Sequence, residues 1–166
     1  MMSYSPIDWP ADKAELYALL IKQADALAEE TPLPSLCNLS ALLWDALRDI
    51  NWCGFYLLRG DTLILGPFQG KIACTSIPMG RGVCGTAAAT RELQLVPDVH
   101  LFPGHIACDS ASQSEIVVPM IKDGELLGVL DIDSPIKERF DRQDAEGLSA
   151  IVQALLRKTD WTNGLL

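Results

Sequence analysis

The chain has 166 residues, 49% of them hydrophobic, which fits one compact domain able to bury a core without metals or disulfides to staple it. A net charge of -9 with an isoelectric point near 4.5 excludes nucleic acid and anionic lipid as main partners, since both are held by clustered Lys and Arg. No basic start leads into an unbroken apolar run and no stretch reaches transmembrane length, so a soluble cytoplasmic protein with no membrane partner is expected.

In chain order, Asp8 is the expected cap of a first helix reaching roughly Glu30, with Leu16, Leu20, Ala24 and Leu27 at helical spacing. Leu36, Leu39, Leu43 and Leu47 repeat the pattern after a break at TPLP. From Trp52 the period shortens: WCGFYLL, TLILGPF and IACTSIP read as strands separated by Gly and Pro. GVCGTAAATRE reads as a short helix entered through a glycine-rich turn, and LQLVPDV as another strand. The irregular stretch from about Val99 to Ser114 has a length that compact domains reserve for lids and binding segments. EIVVPMI and ELLGVLDID then form a hairpin around Asp123-Gly124, and Asp141 caps a last helix with Asp144 in its first turn. Helices at both ends around a run of hairpins predict an α+β fold, a mostly antiparallel sheet flanked by N- and C-terminal helices.

Strand alternation selects the side chains that share a face. Trp52, Gly54 and Tyr56 point one way, two aromatics around a gap that a ligand or backbone can approach, while Cys53, Phe55 and Leu57 point into a core. Asp131 and Asp133 share a face of the last strand, opposite Leu130 and Ile132. Paired carboxylates there either reach water at the strand end or meet a cationic or hydrogen-bonding group, and Glu115 on the other arm of the hairpin adds a third.

Five cysteines, an odd number with no CxxC pair, argue against a secreted disulfide framework and for thiols used chemically. Cys74, Cys84 and Cys108 lie in stretches rich in glycine, histidine or polar residues; Cys84 is at a helix entrance, where free backbone N–H groups would lower a thiol pKa. Cys37 and Cys53 read as buried, inert sulfur. Cys74, Cys84, His105 and Cys108 miss the usual zinc spacings, so no metal is expected. His100 and His105 are either proton-transfer groups, partners of a thiolate, or solvated loop residues. GRGVCG lacks the Lys-Ser/Thr ending of a phosphate-binding loop.

NWCGFYLL, LILGPFQGKIAC, GRGVCGTA, DVHLFPGHIACDS, SEIVVPM and GVLDIDS, taken together and in this order, resemble the free methionine-(R)-sulfoxide reductases, small enzymes built on a GAF domain. The resemblance runs from about Asn51 to Ser134 and implies a single GAF-like catalytic domain over residues 1–166. It implies that Cys108 attacks the sulfoxide, that Cys84 or Cys74 resolves the sulfenic acid as a disulfide, and that thioredoxin or another dithiol recycles the enzyme without a bound cofactor. It also implies that Trp52, Tyr56, Glu115, Asp131 and Asp133 line the pocket for free methionine sulfoxide, and that the R epimer is the one reduced. Physics agrees with such a pocket: the carboxylates suit the ammonium that peptide-bound methionine lacks, and Trp52 suits the methyl and sulfur. Two other readings stand beside it, a non-catalytic GAF-type module that binds a small ligand and senses redox state through the same thiols, and a structural zinc protein. A homodimer is left open.

Overall fold

The computed structural model describes residues 5–166. Helices α1 (Lys13–Leu27) and α2 (Pro32–Ala46) open the chain, followed by strands β1 (Trp52–Arg59), β2 (Thr62–Gly70) and β3 (Ser76–Pro78), helix α3 (Gly82–Thr90) and strand β4 (Gln94–Val96). A 3-10 turn at Val99–Leu101 precedes strands β5 (Ser114–Lys122) and β6 (Glu125–Ser134) and helix α4 (Arg142–Lys158). The strands form one antiparallel sheet in the order β3-β2-β1-β6-β5-β4, the α+β architecture expected. Among the described residues no helix is long and apolar enough to cross a membrane.

The sheet separates two cores. On one face Cys53, Phe55, Ile116, Leu130 and Ile132 pack against α1, α2 and α4, where Leu20, Leu36, Leu43, Leu148 and Ile151 are wholly buried. Each such side chain contributes about 1.5–3 kcal/mol relative to exposure, so this face can carry the fold's stability. On the other face Trp52, Tyr56, Val117 and Val129 meet α3 through Val83, Cys84 and Ala87. That second face also holds the buried carboxyls, and it can tolerate their cost because the helical core does not depend on them.

Several boundaries differ from those expected. Asp12, not Asp8, caps α1, because its carboxylate accepts the Glu15 amide at 3.0 Å; the segment before it runs across α2, where Trp9 Nε1 donates to Asp45 at 2.8 Å. The helix ends at Leu27 rather than near Glu30. TPLP is not a break: Thr31 is the N-cap and Pro32 begins α2, where its missing N–H costs nothing. Of IACTSIP only Ser76–Pro78 pairs with β2, and of LQLVPDV only Gln94–Val96 pairs with β5, so both strands are shorter than expected.

The hairpin turn is as expected, with φ of 51° at Asp123 and 79° at Gly124. So is the α4 start, where the Asp141 side chain accepts the Asp144 amide while the Asp144 side chain accepts the Asp141 amide. Asp144 does more than close this box. It also accepts the Tyr17 hydroxyl at 2.8 Å and Lys13 Nζ at 2.6 Å, tying α1 to α4 beside Gly147, where an added Cβ would overlap the Tyr17 ring.

Candidate active site

Register assembles the site. Trp52 on β1 lies opposite Asp133 on β6, and Asp133 lies opposite Glu115 on β5, so one row across three strands presents an indole and two carboxyls to the same face. The next row sets Gly54 against Asp131, with Tyr56 one step further along β1. Glycine is required at 54 because a Cβ there would lie 2.8 Å from the Pro67 carbonyl oxygen and would overlap Phe68. The close approach expected at Gly54 is made by the β2 backbone at Pro67 and Phe68, and the Phe68 ring stacks on the Trp52 indole at 5.2 Å. Tyr56 also stacks with the indole, at 5.7 Å, and donates its hydroxyl to the Cys74 carbonyl at 2.9 Å; the indole N–H is held by the Lys71 carbonyl at 3.2 Å. Two ring contacts and one hydrogen bond thus fix the Trp52 ring plane.

Helix α3 covers the row. Gly80 and Gly82 at its entrance have φ of 82° and 62°, and Ile106 from the long loop packs so closely on Gly82 that a Cβ there would meet it at 3.1 Å. This seats the Cys108 loop over α3 and closes a cavity of about 40 Å³ lined by Trp52, Tyr56, Cys84, Cys108, Glu115 and Asp131. Asp133, which the sequence placed with them, lines it too.

The carboxyls are the unusual feature. Glu115 and Asp131 are each only 5% exposed, and the polar atoms of Cys84, Glu115 and Asp131 lie within 4.8 Å of one another. Burial, then the neighbouring Asp131 and Asp133, push the Glu115 carboxyl well above its ordinary range. Asp133 is raised well above the usual range by burial and then by Asp131 and Asp109. Asp131 is also raised by burial, but hydrogen bonding to Glu115 and Cys84 favours its charged form. Of the three, Asp131 has the surroundings that most favour the charged form, while Glu115 and Asp133 are held most strongly toward the protonated form. Asp131 Oδ1 is buried and accepts no hydrogen bond from any described residue, the condition a cationic donor relieves.

The cysteines divide as well. Cys74 and Cys108 form a disulfide with Cα atoms 5.8 Å apart. Cys84 does not behave as its helix-entrance position suggested: burial, then Asp131 and Glu115, raise its thiol well above the ordinary value, outweighing the helix. Its sulfur lies 3.9 Å from Glu115 Oε1. Cys53 is buried as expected, with burial raising its pKa, but Cys37 is exposed on the outer side of α2, off the Leu36–Leu39–Leu43 stripe.

His105, left open between loop and site, lines the cavity with its Nε2 3.8 Å from Glu115 Oε2; burial lowers its pKa, so it faces the acid cluster neutral. His100 is exposed and holds Asp98 instead. Asn51 went unrecognised. Its Nδ2 donates to Asp109 Oδ2 at 3.1 Å and Ser112 Oγ at 3.0 Å, and its backbone N–H to the Asp133 carbonyl at 2.9 Å, pinning the Cys108 loop to the carboxylate strand. A polar residue directly before the WCGFY strand was the only sequence signal for it.

The GAF domain model matches residues 34–155. The chain is 54% identical over 155 residues to the free methionine-R-sulfoxide reductase of Escherichia coli (strain K12), covering 90% of this chain and 94% of that one. Among solved structures it is similar to fRMsr of Staphylococcus aureus in complex with substrate, with 56% identity, a TM-score of 0.82 and coverage of 86% and 94%. It is also similar to free methionine-R-sulfoxide reductase from Neisseria meningitidis in complex with its substrate, with 42% identity, a TM-score of 0.89 and coverage of 94% and 95%.

Proposed function

The chain belongs to the free methionine-R-sulfoxide reductases of the GAF fold, an oxidoreductase family, and from that premise we propose how its residues reduce free methionine (R)-sulfoxide. The observation that carries the reading is a buried carboxyl cluster, its pKa values raised, lining one cavity with Cys108, which is disulfide-bonded to Cys74.

The substrate ammonium meets ionised Asp131, whose orphaned Oδ1 is a ready acceptor. Peptide-bound methionine has no such ammonium. The methyl and sulfur rest on Trp52, and the Tyr56 hydroxyl, whose proton goes to the Cys74 carbonyl, keeps a lone pair that accepts a hydrogen bond from a polar part of the ligand. In reduced enzyme, the Cys108 thiolate attacks the sulfoxide sulfur while Glu115, aided by Asp133, gives a proton to the sulfoxide oxygen. The attack joins Cys108 Sγ to the substrate sulfur, and the protonated oxygen then moves to Cys108 Sγ as that S–S bond and the original S–O bond break, so methionine leaves with the electron pair and Cys108 is left as a sulfenic acid. Cys84 is a poor first nucleophile because its thiol is held protonated.

Cys74 then attacks Cys108 Sγ and expels the hydroxyl, which leaves as water with a proton. The Cys74–Cys108 disulfide favours Cys74 over Cys84 as resolver. Thioredoxin supplies the two electrons that restore both thiols, with no bound cofactor. We read residues 1–166 as one catalytic domain working in the cytoplasm.

The test couples thioredoxin and thioredoxin reductase to NADPH oxidation with each epimer of free methionine sulfoxide and with a peptide-bound form. Turnover of the free R epimer alone is expected. A ligand that binds without any form being reduced would return the chain to the sensor reading.

A further inference from the structure

Once oxidised, the protein has to present its disulfide to an electron donor. Cys108 is exposed on its loop, whereas Cys74 is half-buried and packs against the apolar cluster around Trp52. Of the two sulfurs, that of Cys108 is therefore the one an incoming group reaches. Two residues before Cys74, Ile72 is 91% exposed at the mouth of the cavity. A single exposed isoleucine is ordinary; its position is not. Lys71, 75% exposed and 3.9 Å from the Asp109 carboxylate, stands beside it, and Arg81 stands on the same mouth, so two cations against one carboxylate flank an apolar contact on a chain of net charge -9. A cationic surplus around an apolar centre, at the one bond that must be attacked, has the form of a recognition surface.

Resting on the reductase reading above, we propose that the Ile72 rim, flanked by Lys71 and Arg81, docks a protein dithiol whose own apolar patch is bordered by carboxylates, and that its thiolate attacks Cys108 Sγ. That attack forms an intermolecular disulfide and releases Cys74 as a thiolate, which takes up a proton. The partner's second thiol then loses its proton and attacks the partner's first sulfur, releasing Cys108 and leaving the partner oxidised by two electrons. A small dithiol performs the same exchange without touching the rim.

The difference between protein and small dithiol supplies the test. Oxidised protein is mixed with reduced thioredoxin or with dithiothreitol, with no sulfoxide present, and the appearance of free thiols is timed. Ile72→Asp is expected to slow reduction by thioredoxin about tenfold, the loss of one good contact, and reduction by dithiothreitol less than about twofold. Arg81→Glu should slow the thioredoxin step at low ionic strength, with the effect shrinking in about 0.5 M salt. Thioredoxin lacking its second cysteine should be trapped on the Cys108 peptide. Unchanged thioredoxin rates in both variants, equal slowing with both reductants, or an adduct on Cys74 would overturn the proposal. Because no sulfoxide is reduced in this assay, failure of the reductase reading appears only in methionine release and leaves these outcomes separate.

Discussion

Residue by residue, the site depends on carboxyl groups kept in different states by their neighbours. Glu115 holds its proton because it is buried beside Asp131 and Asp133. Its folded pKa lies above the 4.5 of an ordinary Glu, so above about pH 4.5 the unfolded chain releases a proton that the fold retains. Its stabilising contribution is full below that value and is lost as pH rises through the folded pKa. Glu115→Gln should therefore weaken the fall of Tm with rising pH, and raise Tm near pH 7.5 by about 2–4 °C if about 1 kcal/mol is recovered. The same variant should lose kcat through the missing proton donor. An unaltered Tm-against-pH slope would mean that Glu115 is ionised in the fold. Asp131→Asn should instead raise KM about tenfold to a hundredfold, the worth of a charge-assisted hydrogen bond, and an unchanged KM would leave Asp131 without contact to the ammonium. Strand alternation was enough to pair Asp131 with Asp133 and Trp52 with Tyr56, each on one face of its own strand, and the family resemblance implied that the two pairs share a pocket. It could not reveal that burial and two carboxyls overrule a helix entrance at Cys84, because that balance depends on distances between α3 and β5.

At the level of elements, close backbone contact decides where the site residues stand. Gly54→Ala would drive a methyl into Phe68 and Pro67 of β2, unstacking Phe68 from Trp52. We expect lower thermal stability and a large rise in KM, read together by calorimetry and initial rates; wild-type values for both would contradict the packing described. Asp144→Ala tests the other face. It removes the Tyr17 acceptor and half of the α4 capping box while Lys13 keeps Asp141, and should cost about 1–3 kcal/mol in urea denaturation, while KM of the protein that remains folded stays unchanged. A changed KM would mean that the α1–α4 junction reaches the site. The strong periodic segments, α4 and the β5–β6 hairpin, were legible because caps and a turn pair mark their ends in sequence. The Asp8 and TPLP boundaries were misread because a nearer cap at Asp12 and a proline tolerated at the first helical position look like punctuation of a different kind. The shortening of β3 and β4 was equally hidden, since partner strands and not propensity end them.

For the molecule as a whole, one sheet keeps stability and chemistry on opposite sides. Helices α1, α2 and α4 cover a dry core on one face, and α3 with the Cys108 loop covers a polar, acid-lined cavity on the other. The loop is tied down at Asn51 and bonded through Cys108 to Cys74. In the proposed mechanism, sulfoxide reduction uses Cys108 as its one cysteine, with Glu115 as proton donor, and disulfide formation then adds Cys74. The most direct measurement is methionine released in a single turnover, with reduced protein mixed with free methionine (R)-sulfoxide and no recycling reductant. Wild type and Cys74→Ser should each release about one methionine per chain, and Cys108→Ser none. Stoichiometric release from Cys108→Ser, or none from wild type, would contradict the assignment of Cys108 as the group that reduces the sulfoxide.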